Sequence, residues 1–151
     1  MSDLPHGKGK LVYKSGIRYT GEWQRGLRHG NGVFEYGNGA TYDGEWQNGK
    51  RHGYGTLVNV DGSYYEGEFA NDEFEGKGVL VYKNARKYSG NWKAGKRSGV
   101  GVYTSAIGIV HSYDGEWTND AFNGKGTLIF SNEDKYEGYF KDFKVSNEQH
   151  K

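Results

Sequence analysis

The stretch YDGEWQNGKRHGYG, Tyr42 to Gly55, sets a glycine, Gly44, between two aromatics in a run that otherwise alternates like a β-strand. Glycine inside a strand gives up side-chain packing and costs roughly 0.5–1 kcal/mol in backbone entropy. Something in the fold must offset it. The same arrangement recurs through the chain, so the reason is architectural and not local. Tyr-x-Gly-x-aromatic appears at Tyr19/Gly21/Trp23, Tyr42/Gly44/Trp46, Tyr65/Gly67/Phe69, Tyr88/Gly90/Trp92, Tyr113/Gly115/Trp117 and Tyr136/Gly138/Phe140, with a period of 23 residues and one step of 25. In phase with it runs Gly-x-Gly, at Gly7/Gly9, Gly30/Gly32, Gly53/Gly55, Gly76/Gly78, Gly99/Gly101 and Gly124/Gly126. A fixed period of this length marks a stacked repeat architecture.

Each unit reads as a β-hairpin. The second glycine of the pair opens a β-rich run such as Val33–Tyr36, a turn GNGA follows, and TYDGEW returns. Alternation puts Tyr42, Gly44 and Trp46 on one face and Asp43 and Glu45 on the other. The large apolar residues Leu11, Phe34, Leu57, Leu80, Tyr103 and Leu128 join the ring-bearing face. The missing glycine side chain leaves a slot across which an aromatic of the same or the next hairpin lies. One hairpin alone is marginal in water, so neighbours must stack to bury the rings.

These residues carry a resemblance. The Tyr42–Gly55 stretch with its flanking hairpin is similar to the MORN repeat, the membrane occupation and recognition nexus motif, in six copies from about Gly7 to Phe140. The resemblance implies an all-β fold, an elongated single-layer twisted antiparallel sheet of six stacked hairpins. It also implies a non-catalytic role in organising membrane, cytoskeletal or flagellar assemblies. On this reading residues 1–143 form the repeat domain and 144–151 a polar tail, with the sixth unit as a cap.

Composition narrows the function classes. The 151 residues include 26 Gly, 13 Tyr, 7 Phe and 4 Trp but 1 Pro and no Cys, with a net charge of +1. A thin, ring-filled core follows, with no disulfide framework and no thiolate metal site. No apolar run approaches the ~20 residues needed to cross a bilayer, and MSDLPHGKGK lacks a secretory signal's apolar core. The expected location is intracellular and cytoplasmic, with cytoskeletal, ciliary or peripheral-membrane variants.

Sharper signals weaken on inspection. Gly44 through Gly49-Lys50 and Gly90 through Gly95-Lys96 approach a phosphate-binding loop, but Arg51 and Arg97 stand where a hydroxyl should meet magnesium, and no helix follows. His6, His29 and His52 recur two strands apart, roughly 10 Å, too far to share an ion whose ligands sit about 2 Å away. No nucleophile, base and orienter converge, and no continuous basic face suits nucleic acid. No cofactor, no metal and no enzymatic activity are therefore expected.

Two surfaces remain. The first is an aromatic groove of Tyr19, Trp23, Tyr42, Trp46, Tyr65, Phe69, Tyr88, Trp92, Tyr113 and Trp117, expected to stay partly exposed and to take an apolar or amphipathic protein segment. The second is a basic loop edge of Arg25, Arg28, Lys50, Arg51, Lys96 and Arg97, a weak contact for anionic lipid, interrupted by Asp72, Glu73, Glu75 and Asp120. A regulatory repeat segment of a larger enzyme is a further alternative. Oligomeric state stays open.

Overall fold

A computed structural model describes residues 4–146, and in them every regular element is a strand. The chain divides into two compact units, residues 1–74 and 75–151. The first carries β1 (Gly7–Val12), β2 (Arg18–Gln24), β3 (Leu27–Glu35), β4 (Thr41–Gln47), β5 (Lys50–Val58) and β6 (Tyr64–Ala70). The division falls near the start of β7 (Glu73–Val81); the second unit goes on through β8 (Lys87–Lys93), β9 (Lys96–Thr104), β10 (Val110–Thr118), β11 (Ala121–Phe130), β12 (Lys135–Lys141) and β13 (Lys144–Ser146). Within each unit successive strands pair antiparallel as neighbours.

The polar tail read at 144–151 begins instead with a strand, because Lys144–Ser146 pair with Tyr139–Lys141. Residues 147–151 lie outside the described residues.

Two kinds of turn join the strands. The tight ones place two consecutive residues at positive φ, as at Asn48 (49°) and Gly49 (83°), the type I′ geometry whose twist matches the flanking strands. Asp72 (71°), Asp120 (72°) and Phe143 (69°) occupy the second position without being glycine. The wide turns close with a backbone bond from residue i to i+4, as from Tyr36 N–H to Ala40 O and from Asn59 N–H to Ser63 O.

The strand glycines line up. Gly9, Gly21, Gly32, Gly44, Gly55 and Gly67 stand directly opposite one another across β1–β6. Gly78, Gly90, Gly101, Gly115, Gly126 and Gly138 do the same across β7–β12. Each seam is roofed by tyrosines: a Cβ on Gly44 would lie 2.7 Å from Tyr42 Oη, and one on Gly55 would meet Tyr42 Cε1 at 2.6 Å. Such a contact is impossible without displacement, so beneath a tyrosine the seam admits glycine alone, and the ring packing offsets its lost strand propensity; at Gly9 a Cβ would meet only Trp23, at an ordinary 3.6 Å. The slot inferred from sequence is real and spans two strands.

Candidate interaction surfaces

The register slips between Gly44 and Trp46 where β4 meets β5, and likewise after Gly21, Gly90 and Gly115, with a second slip between Val110 and Ser112 on β10. A β-bulge of this kind strands backbone polar groups, which must find partners. The Tyr42 hydroxyl donates to Glu45 O at 2.9 Å, while the Glu45 carboxylate accepts the Tyr54 N–H at 2.7 Å. Glu22 accepts the Asn31 N–H and Glu116 the Lys125 N–H in the same way. Trp46 Nε1 donates to Gly32 O at 3.1 Å, and Trp92 and Trp117 make the same bond to Gly78 O and Gly101 O.

The rings interlock edge to face. Tyr42 lies 5.0 Å from Trp46 at 84° and 5.0 Å from Phe69 at 87°, and in the second unit Tyr88 meets Trp92 and Trp117 in the same geometry. Burial pushes the Tyr19, Tyr88 and Tyr113 phenols up to about 12.

This packing overturns the groove reading. Tyr19, Tyr42, Tyr65, Tyr88 and Tyr113 have no exposed surface, and Trp23, Trp46, Phe69, Trp92 and Trp117 retain at most 8%. All ten are core residues. The bulge folds Tyr19, Tyr42, Tyr88 and Tyr113 down onto the glycine seam and the next repeat's aromatic closes over the edge of each, so these rings are packed against one another and not held open.

The basic edge is also smaller than the sequence suggests. Arg51 donates its backbone N–H and Nε to Asp72 Oδ1 and Nη2 to Asp72 O, at 2.8, 3.3 and 2.7 Å. Arg97 makes the same three bonds to Asp120, and its guanidinium lies 4.7 Å over Trp117. Arg28 donates to Gly49 O and sits 4.8 Å over Trp46. These three arginines are turn-to-turn clamps, while Arg25, Lys50 and Lys96 remain exposed. Asp72 and Asp120, read as interruptions of a basic ridge, are the acceptors of those clamps. Where Arg51 and Arg97 have successors, Phe74 and Phe122 take the position and stack on Tyr65 and Tyr113 at 3.8 and 3.9 Å.

The family model for the MORN repeat matches residues 1–18, 19–41, 42–64, 65–84, 88–110 and 113–135. The chain belongs to the MORN-repeat family. MORN repeats are protein- or membrane-interaction modules and not catalytic ones. Among curated proteins none matches the chain closely enough to establish kinship.

In this MORN chain open apolar surface occurs on strands, as at Tyr54 and Val100, at tight turns, as at Leu27, and at the wide turns, where Ile109 is the most exposed large apolar residue. The one 25-residue step of the period, from Tyr88 to Tyr113, falls at the turn before Tyr113. Its closing bond runs from Ser105 N–H to His111 O, two residues longer than its counterparts, and the insertion lifts Ile107 and Ile109 to 54% and 76% exposure. The turn is nevertheless held. Ser105 Oγ bonds Ile107 O, Ser131 N–H donates to Ile109 O at 2.7 Å, and Ser131 Oγ donates to Gly108 O. Shallow depressions flank it, one lined by Arg86 and Tyr103, the other by Phe130 and Asn132. In the first unit the corresponding hollow holds Tyr36, Leu57 and Val60 beside Arg51. No cluster of three metal-ligating side chains occurs among the described residues.

Proposed function

We propose that this MORN chain is a non-enzymatic scaffold that holds an apolar or amphipathic segment of another protein along its wide-turn edge. The observation that carries the reading is the Ile107/Ile109 turn, where two large apolar side chains project from a loop pinned at both ends. Exposed anchors on an ordered loop lose little entropy on binding, and flanking hollows of aromatic and aliphatic side chains suit an apolar partner residue. The assemblies in which such a chain would serve, membrane-associated, cytoskeletal or flagellar, follow from family analogy.

The lipid reading keeps one specific support, the outward Arg25, Lys50 and Lys96. Three dispersed cations give weak attraction, screened over a Debye length of roughly 8 Å at physiological ionic strength.

The test begins with proximity labelling of the native protein, followed by titration of direct binders against Ile107→Ser/Ile109→Ser and Lys50→Ala/Lys96→Ala. The scaffold reading expects the isoleucine pair to weaken binding at least tenfold and the lysine pair to change it less than threefold. The reverse order moves the site to the charged edge.

A further inference from the structure

The wide turn between β7 and β8 departs from its counterparts in charge. The closing backbone bond is accepted by Ile17, Ala40, Ser63, His111 and Asp134 in the other wide turns and by Arg86 in this one. Residues 82–87 read YKNARK, three cations and no acid, and residues 105–112 of the neighbouring wide turn, SAIGIVHS, hold no acid either. Lys83 and Lys87 are exposed and Arg86 is half-buried. Among the described residues no carboxylate lies within ion-pair distance of any of the three.

Arg86 is also short of a hydrogen bond. Its guanidinium lies 5.1 Å over the Tyr82 ring, and its Nε is covered yet has no partner. The same molecule shows twice what such a group takes: Arg51 and Arg97 direct Nε at Asp72 Oδ1 and Asp120 Oδ1, at 3.3 and 3.1 Å. Arg28 shares the unpartnered Nε, but its guanidinium lies 4.8 Å over both Phe34 and Trp46, and its Nη2 donates to Gly49 O. Arg86 has neither the second ring nor the bond. A covered N–H without a partner carries a cost that a suitable acceptor removes, and with one ring contact to hold it the guanidinium turns toward such an acceptor at little expense.

Arg86 lines the same hollow as Tyr103, Ile107, Ile109 and Val110. We infer that the segment held at the Ile107/Ile109 turn is acidic, placing an Asp or Glu carboxylate on Arg86 and a large apolar side chain against the isoleucines. This rests on the wide-turn reading above and adds the chemistry of the partner. The carboxylate takes Nε and an Nη in the planar fork that a lysine cannot reproduce, while Lys83 and Lys87 speed encounter. On the other side of the isoleucines the turn at 131–134 carries Glu133 and Asp134, which repel an acid and so direct the acidic end of the segment toward Arg86. A side-chain carboxylate enters the hollow; the headgroup plane of a bilayer does not.

Spacing constrains the segment further. Successive wide turns stand two strands apart, roughly 10 Å. That places the acid about three residues from the apolar anchor in an extended segment, or about seven in a helix, where both share a face.

A random peptide library displayed against the full chain supplies the probe, and enriched sequences are synthesised and titrated by fluorescence anisotropy. Peptides with an acid at one of these spacings from Leu, Ile, Phe or Trp are expected. Arg86→Met, which keeps the apolar stem, and exchange of the peptide's acid for its amide should each weaken binding at least tenfold, the two together costing little more than either alone; Arg86→Lys should stay at least threefold weak. The exchange in the peptide leaves the chain untouched, so it reads the contact even if Arg86→Met disturbs the turn. Enriched peptides that lack an acid, or that bind Arg86→Met as they bind wild type, overturn this inference; the wide-turn reading survives that result if Ile107→Ser/Ile109→Ser abolishes their binding and falls with it if the isoleucine pair is ignored. A library that yields no binder also overturns it, and binding confined to vesicles of phosphatidylserine and phosphatidylcholine would hand the site to a lipid surface.

Discussion

The tight-turn edge and the wide-turn edge of the same hairpins have opposite fates. At the tight turns, residues repeated from unit to unit point into one another: Arg51 closes on Asp72, Arg97 on Asp120, and Phe74 and Phe122 stack on tyrosines. At the wide turns the residues vary, from GNGA to VDGS to AIGIV, and the side chains they carry stand out from the sheet. Repetition here marks structure, because a residue needed once per hairpin to join it to the next must recur with the hairpin. At the wide turns, departure from the repeat leaves apolar side chains such as Val60, Ile107 and Ile109 exposed.

The comparison breaks most sharply at glycine. Gly55→Val drives a branched side chain into Tyr42 at the seam, and overpacking of that kind costs about 1–3 kcal/mol or more. Gly62→Asn sits in a wide turn with φ of 90° and nothing within 4 Å; thermal unfolding should place its melting temperature within about a degree or two of wild type. Comparable losses from both would remove the distinction between the edges.

Arginine is the next test. Arg97→Ala deletes a half-buried clamp with two side-chain hydrogen bonds to Asp120, which is worth about 1–2 kcal/mol. Its neighbour Lys96→Ala, exposed at the same turn, should fall within roughly 0.5 kcal/mol by urea unfolding. A clamp as cheap as the lysine would return Arg97 to the solvated edge.

Much of this organisation is legible in the residues. The 23-residue period, the hairpins and the slot over the strand glycine all come from alternation and spacing. The closure of the ring face does not, since it depends on a bulge after Gly44 that turns Tyr42 down onto Gly55, and alternation says which face a ring takes but not whether it stands or lies. The role of Asp72 was hidden for another reason: its partner Arg51 is 21 residues away, and composition reads an acid among bases as an interruption. Glu45, assigned to the polar face, caps a backbone N–H that exists only because of the bulge.

Alkaline pH sharpens the same contrast. The Tyr19, Tyr88 and Tyr113 phenols sit at about 12 in the folded chain against an ordinary 10. A raised folded value means their stabilisation is intact below pH 10 and is lost as pH climbs from 10 toward 12. The exposed Tyr54 is raised as well, by desolvation and by its hydrogen bond to Glu66. Stability against urea should hold to about pH 10 and then fall; a flat profile through pH 11.5 would mean the rings are wet.

The smallest expected effect is a gain. Ala85 holds φ of 61° in the wide turn of the fourth repeat, and Ala85→Gly should add about 0.5–1 kcal/mol by relieving a strained left-handed residue. No gain would argue that the turn relaxes around the alanine.

The central claim is that the repeated rings are core, and the four tryptophans report on it directly, because Trp23, Trp46, Trp92 and Trp117 all occupy the repeated position and retain 8%, 5%, 4% and 2% of their surface. Iodide quenching of tryptophan fluorescence compares the native chain with the same chain in denaturant. The account predicts that native emission is nearly insensitive to iodide and becomes strongly quenched only on unfolding; native quenching close to the unfolded value would contradict it and reopen the ring face as a binding groove.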